Sequence, residues 1–283
     1  MKMQGSLVFV KLGGSVITDK TRPETARPQV IARLAAEVLR ALNEESASQS
    51  TPGERLRLVL GHGSGSFGHM VARRYGTRQG VHGAAAWRGF AEVGAVAARL
   101  NRLVTDLFLA AGVPVWSLQP SASARCRAGR LIALDATPVE RALSHRLVPL
   151  LYGDVALDEE LGGTIVSTEE IFGYLARRLY PARVILAGVV DGVYDGDPLR
   201  DPSAQRIPEI TSSNWSTVRS MLGGSYAVDV TGGMLAKVAE MVDLARALPG
   251  LTVQVISGER PGALEDALRN PGGEPGGTLI RWE

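Results

Sequence analysis

The sequence predicts an α/β fold on a mostly parallel sheet covered on both faces, and three observations lead there. Apolar runs at Ser6–Lys11, Leu56–Leu60, Leu147–Tyr152 and Arg183–Val190 read as buried strands. Segments with helical apolar spacing alternate with them, the order that βαβ units produce. Glycine-rich turns follow several of these strands, and in such sheets ligands sit beyond the strands' C-terminal ends. The 283 residues suit one large α/β domain or two lobes sharing a sheet.

Taken in order, Ser6–Lys11 is a strand that ends at a lysine, with Gly13 and Gly14 following and then Ser15 to Lys20. An ammonium is thus placed beside backbone free to bend around a ligand. Pro28 to Leu42 is a helix, with Val30, Ile31, Leu34, Val38 and Leu42 on one face and Pro28 in its first turn. Asn43 to Glu54 is polar, holds Pro52-Gly53 and reads as a surface loop. The strand Leu56–Leu60 runs into residues 61–69, Gly-His-Gly-Ser-Gly-Ser-Phe-Gly-His, and a helix is expected from near Met70. Tyr75 to Gly89 is broken by glycines and shows no clear period. From Phe90 to Ala111 a helix carries Val93, Ala97, Leu100, Val104, Leu107 and Phe108, and Gly112 with Pro114 stops it.

Val113–Leu118 is a strand, Arg125–Leu134 a hairpin turning at Ala128-Gly129, and Leu147–Tyr152 a strand ending at Gly153-Asp154. Gly162-Gly163 marks a turn before a helix over Thr168–Leu179. Arg183–Val190 leads into Asp191-Gly-Val-Tyr194-Asp195-Gly-Asp197-Pro198, a turn-rich acidic loop. Thr231-Gly232-Gly233 opens a helix that reaches Leu248, and Leu251–Ile256 with Gly277–Arg281 close the sheet. Lys11, the 61–69 loop, Asp154 and Asp191 all fall on the ligand edge of that sheet.

Composition removes several function classes. A formal net charge of +2, with no basic tract interleaved with aromatics, gives no case for nucleic-acid binding. Cys126 is the only cysteine, so neither an intrachain disulfide nor a cysteine zinc cluster is available. No signal peptide and no apolar run long enough to span a bilayer is found, so a cytoplasmic protein without a membrane partner is expected. Lysine is rare: Lys2, Lys11, Lys20 and Lys237 are the whole set. Each lysine in an unusual place is therefore informative.

The 61–69 stretch carries the most chemistry. Four glycines in eight residues let the backbone approach a ligand and turn N–H groups inward, and a strand, glycine loop and helix N-terminus in series make an anion site. His69 would close that loop beside the anion; read alone it is a helix N-cap satisfied by backbone. His62, His82 and His145 read as packing or surface residues. Lys11 could be a solvated strand end, but its surroundings are buried and glycine-rich. Lys20 could be a solvated loop residue, and Lys237, one turn after Gly232-Gly233, either a surface lysine or a phosphate ligand. Gly63-Ser-Gly65-Ser-Phe-Gly68 also fits the dinucleotide fingerprint G-x-G-x-x-G, yet the acidic residue needed about 20 positions on is missing from any following strand. The region offers only Glu92, inside an apparent helix. Neither a P-loop nor a protein-kinase signature set is present.

Four stretches, in order and spanning nearly the whole chain, resemble the amino acid kinase family: Val10-Lys11-Leu-Gly13-Gly14-Ser15 with Lys20, the 61–69 loop, Asp191 to Pro198, and Asp229-Val-Thr231-Gly232-Gly233-Met234-Leu-Ala-Lys237. Within that family Ser66-Phe67-Gly68-His69 looks like the isopentenyl phosphate kinases, the histidine setting them and the fosfomycin kinases apart from the acetylglutamate, aspartate and uridylate kinases.

The resemblance implies a three-layer αβα sandwich, usually a homodimer, with acceptor in an N-terminal lobe (residues 1–182) and ATP, as its magnesium complex, in a C-terminal lobe (183–283). It implies catalytic roles for Lys11, Lys20, His69 and Asp154, with Asp154 organising the lysines. Gly63, Ser64, Gly68, His69 and Gly153 would hold the acceptor phosphate. Lys11, Gly13, Gly14, Ser15, Ser64, Asp191, Tyr194, Asp195, Asp197, Gly233 and Lys237 would hold ATP. No protein metal ligand is assigned. Ser64 stands where many relatives have glycine, and Ser167-Thr168-Glu169-Glu170 replaces a Ser-Gly-Asp-Asp pattern, so no nucleotide contact is expected there. The implied activity is ATP-dependent phosphorylation of isopentenyl phosphate. The alternatives are a kinase for another small anion such as fosfomycin, or a non-catalytic nucleotide- or anion-binding member. An isoprenoid tail would need an apolar pocket, for which Phe90–Ala111 and Tyr75–Trp87 are candidates.

Overall fold

The computed structural model describes residues 6–47, 55–224, 233–270 and 276–283. In chain order, β1 (Leu7–Leu12) passes through a single turn of helix, α1 (Gly14–Ile17), to α2 (Pro28–Ala47). Next come β2 (Arg57–His62), α3 (Gly65–Tyr75), α4 (Gly83–Ala110), β3 (Val115–Ser117), β4 (Arg125–Arg127) and β5 (Arg130–Ala133). These lead to α5 (Thr137–Ser144), β6 (Val148–Tyr152), β7 (Asp154–Asp158), β8 (Gly162–Val166), α6 (Thr168–Leu179) and β9 (Arg183–Gly188). The last part holds β10 (Val193–Tyr194), β11 (Arg206–Ile207), β12 (Glu209–Ile210), α7 (Trp215–Gly224), α8 (Gly233–Ala247), β13 (Thr252–Ser257), α9 (Ala263–Arg269) and β14 (Thr278–Ile280).

Eight strands form one sheet in the order β12-β14-β13-β9-β1-β2-β6-β3. Its pairings are parallel except β13 with β14. The alternation of β1 shows why the apolar runs carry no polar face. Val8, Val10 and Leu12 pack with Ile31 and Leu34 of α2, Leu100 and Val104 of α4, and Leu264 of α9. Leu7 and Phe9 pack on the opposite face with Val139 of α5, Phe172 and Leu175 of α6, and Val238 and Met241 of α8. Both faces of the sheet are thus covered, which is the αβα layering. The 182/183 boundary lies inside this shared sheet, because β9 pairs with both β1 and β13. A smaller sheet, β5-β4-β7-β8, is built from the hairpins around residues 125–166. No helix among the described residues is long and apolar enough to cross a membrane.

Several expected boundaries move. The helix expected from near Met70 begins at Gly65, so four of the 61–69 residues lie in its first turn and His69 stands in its second. The helix expected from Phe90 begins at Gly83 and takes in the glycine-broken segment. Gly89 is accommodated there because a Cβ would lie 2.3 Å from the Tyr75 ring. Gly162-Gly163 belongs to β8 rather than to a turn. The loop expected over 43–54 is helix as far as Ala47, and residues 48–54 lie outside the described residues. Asp229, Thr231 and Gly232 also lie outside them.

Candidate active site

Two glycine turns at the C-terminal ends of β1 and β2 form the floor of the site, and they touch backbone to backbone. A Cβ on Gly14 would lie 2.4 Å from the Gly65 nitrogen, a separation real side chains do not show. Gly65 takes a φ of +50°, and its hydrogen atoms face Thr18. The Thr18 hydroxyl donates to Gly14 O at 2.7 Å and accepts from Ser66 N at 3.0 Å, which locks the turns together. Gly63 N donates to Leu12 O and Gly13 N to Ala187 O, tying the pair to β1 and β9. The N–H groups of Gly14, Ser15, Ser64 and Gly65 find no acceptor among the described residues. These four residues line a cavity of about 930 Å³. Donors left over at two helix starts are what an anion site requires.

Charged side chains reach the same cavity from four sides. Lys11 ends β1, Lys20 lies exposed in the loop after α1, and Lys237 stands on α8. Lys11 Nζ is 2.8 Å from Glu169 Oε1, and both side chains are about nine-tenths buried. Burial pushes the Glu169 carboxyl up. The Lys11 charge and hydrogen bond, the start of α6 and the Lys237 charge more than reverse this and hold it below the ordinary glutamate value. Glu169 therefore stays an anion between two lysines. Its position follows from the local sequence: Ser167 accepts from Glu170 N and Glu170 Oε2 accepts from Ser167 N, a capping box that fixes the first turn of α6.

Of the residues expected in the site, Lys11, Gly13, Gly14, Ser15, Lys20, Gly63, Ser64, Gly68, His69, Gly153, Asp154, Tyr194, Asp197 and Lys237 line this one cavity. Gly233 is the first residue of α8. The Asp154 carboxylate accepts from Ser121 N and Val155 N, while burial pushes its pKa up. Glu169, in the stretch where no nucleotide contact is expected, is the ion-pair partner of Lys11. Asp191 and Asp195 lie in the segment after β9 and are not part of this lining. Asp191 accepts from the Tyr194 hydroxyl and Arg206, and Asp195 from Gln205 N.

Other lining residues carried no sequence signal. Arg73, Arg78 and Gln79 come from α3 and the turn after it, and Glu240 stands on α8. Glu240 is pushed up to about 7, first by burial and then by the charges of Glu169 and Glu170, with Arg78 and Lys11 opposing. Past His69 the wall becomes apolar, with Ala72, Val93, Ala97 and Ile165. Val93 and Ala97 belong to the Phe90–Ala111 stretch, whereas the segment Tyr75–Trp87 contributes Arg78 and Gln79 rather than apolar groups. At the opposite end the wall is made by Gly188, Val190, Tyr194, Leu199, Met234 and Met241. One cavity that combines lysines and glycine turns with apolar wall residues suits ligands that carry a phosphate and an apolar part.

Comparison with known proteins agrees with this geometry. The model of the amino acid kinase family matches residues 6–257. The isopentenyl phosphate kinase of Methanothermobacter thermautotrophicus is 36% identical over 281 residues, covering 97% of this chain and 98% of that protein. The isopentenyl phosphate kinase of Haloferax volcanii is 36% identical over 280 residues, covering 98% of this chain and all of that protein. A solved structure of an isopentenyl phosphate kinase superposes with a TM-score of 0.78 at 33% identity, covering 97% of this chain and 99% of that one.

Proposed function

The chain belongs to the amino acid kinase family, and from that premise we propose that it transfers the γ-phosphoryl group of ATP to isopentenyl phosphate, yielding isopentenyl diphosphate and ADP. The observation that carries the reading is the cavity itself. Four N–H groups without an acceptor among the described residues, three lysines, His69 and the apolar Ala72, Val93, Ala97 and Ile165 all belong to it.

The chemistry asks for little more. A phosphate monoester has a second pKa near 6 and is already a nucleophile at neutral pH, so no strong general base is needed. One of its oxygens attacks the γ-phosphorus, the bond to the β–γ bridging oxygen breaks, and ADP leaves with that electron pair. The barrier lies in bringing two polyanions together in line. Lys11, paired with Glu169, and Lys237, whose charge also reaches Glu169, would bind ATP phosphates, and Lys20 would meet the charge of the transferring group. His69, Gly63, Ser64, Gly68 and Gly153 would hold the acceptor phosphate. In this reading residues 1–182 take the acceptor and 183–283 take ATP. Magnesium would arrive on the nucleotide: no three His, Cys, Asp or Glu side chains are grouped to hold a metal among the described residues. No step is assigned to the ion. The family resemblance implies a homodimer, and a cytoplasmic location is our own proposal.

Ala72, Val93, Ala97 and Ile165 support a prenyl tail over a small polar acceptor. The test is acceptor-dependent ADP release from Mg-ATP, with isopentenyl phosphate, dimethylallyl phosphate and fosfomycin offered side by side. Preference for the isoprenoid phosphates is expected. Preference for fosfomycin would keep the kinase and overturn the substrate. No release with any of the three would overturn the reading.

A further inference from the structure

His62 is the last residue of β2, 1% exposed, and has no part in the chemistry described above. Its ring lies between fixed partners. Nδ1 is 3.1 Å from Gly63 O, Nε2 is 3.2 Å from the Asn101 amide, and the ring stacks on Tyr152 at 5.7 Å with planes 7° apart. The Asn101 amide also meets the Ser117 hydroxyl. A carbonyl oxygen only accepts, so Nδ1 must carry a proton. Burial pushes the imidazole down to about 4, with Lys11 acting in the same direction and the bonds to Gly63 and Asn101 opposing, so at neutral pH the ring has one proton. Nε2 is then bare and needs a donor. Turning the Asn101 amide by 180° supplies it: the NH₂ donates to Nε2, and the amide oxygen accepts from Ser117 O–H. Amide orientation is assigned from such networks.

The consequence lies one peptide away. In a trans peptide the C=O and N–H point in opposite directions. The carbonyl of the Gly63–Ser64 peptide is held toward the His62 ring. Its N–H, on Ser64, is therefore turned away from the ring, and Ser64 lines the cavity with no acceptor for that group among the described residues.

We propose that His62 is a positioning residue of the phosphate cradle: as the neutral Nδ1–H tautomer it holds the Gly63 carbonyl and so aims the Ser64 N–H at the bound phosphate. The inference rests on the kinase reading only for the identity of that phosphate. The groups facing the ring are Asn101 from α4, Tyr152 from β6 and the Lys11 charge from β1, while the Thr168 hydroxyl of α6 donates to the His62 main-chain carbonyl.

Two measurements test it. Long-range ¹H–¹⁵N correlation of the intact protein reads the tautomer directly. Nδ1 protonated and Nε2 bare from about pH 5.5 to 8 is expected, and an Nε2–H ring, or one that titrates in that range, overturns the proposal. The second is kcat/KM for isopentenyl phosphate with Mg-ATP. His62→Phe keeps the stack on Tyr152 but removes the donor, and a loss of about 100-fold is expected, the scale of a misplaced site group. His62→Asn places an amide N–H where Nδ1–H stood and should recover most of that loss. Near-normal activity in His62→Phe, or an equal loss in a folded His62→Asn, overturns the proposal. If neither variant folds, the tautomer spectrum of the unaltered protein decides. If no acceptor is phosphorylated at all, the functional reading fails while the tautomer result stands or falls independently.

Discussion

Glu169→Gln is the perturbation that most directly tests how the site is held. At 2.8 Å the Lys11–Glu169 pair has a gross attraction of about 6 kcal/mol at an effective dielectric constant of 20. Both groups are largely desolvated, so much of that attraction is offset by the cost of burial. Removing one partner leaves the other as a buried, uncompensated charge, a change that costs about 3–5 kcal/mol. At about 2–4 °C per kcal/mol for a chain of this order of size, Glu169→Gln alone should lower Tm by roughly 6–20 °C. Lys11→Met should cost a similar amount. The double variant removes both charges and should cost less than the sum of the singles, with a coupling of about 2–3 kcal/mol.

The sign of the pH dependence follows from the Glu169 pKa, which is lowered in the fold. The pair's stabilisation is fully present above the unfolded glutamate value, about 4.3. It is lost as pH falls through the depressed folded value. Denaturation of the four proteins followed from pH 3 to pH 8 is the assay. Additivity of the two substitutions within about 0.5 kcal/mol would refute the reasoning, as would a stability gap that persists unchanged into acid.

Three further outcomes are expected. Gly14→Ala drives a methyl group into the Gly65 backbone and should cost at least about 2 kcal/mol along with most of the activity; a stable, active variant would show that the two turns can part. His69→Ala should lose most turnover while equilibrium ATP binding survives, and near-normal kcat would remove His69 from the acceptor site. Glu240, raised to about 7, contributes stability below the unfolded glutamate value that is lost as pH rises through 7. Glu240→Gln should therefore match the parent at pH 4 and exceed it at pH 8 by roughly 1 kcal/mol, allowing for the carboxyl's partial exposure; an equal difference at both pH values would contradict the assignment.

The sheet was legible because burial on both faces leaves its strands few polar residues to confuse the pattern. β1, β2, β6, β9 and β13 were located as apolar runs to within about two residues. α6 was located to the residue, since Ser167 and Glu170 cap its start. The misplaced helix starts share one physical cause. Glycine disfavours helix in isolation, so Gly65–Gly68 and Gly83–Gly89 read as loop. Tertiary contact overrides that preference: Gly65 must let Gly14 approach, and Gly89 must admit the Tyr75 ring. Neither partner is near in sequence, and a periodicity argument has no access to it.

The site was legible where chemistry leaves a rare residue and obscure where it uses a common one. Lysine occurs four times among 31 basic residues, so Lys11, Lys20 and Lys237 stood out, whereas Arg73 and Arg78 were lost among the arginines. Asp154 and Glu169 expose a different difficulty. Both are buried carboxyls that line the same cavity, and only their surroundings decide their roles. Asp154 accepts two backbone N–H groups and burial raises its pKa; Glu169 meets an ammonium and is kept ionised. A glutamate where the resembling pattern has an aspartate looked like a reason to withdraw a role from residues 167–170. The side chain is one methylene longer, and here that length is spent reaching Lys11 from the first turn of a capped helix. A substitution that preserves charge at a helix start therefore changes reach before it changes chemistry, which is why the Lys11–Glu169 cycle rather than a comparison of motifs is the decisive test of this site.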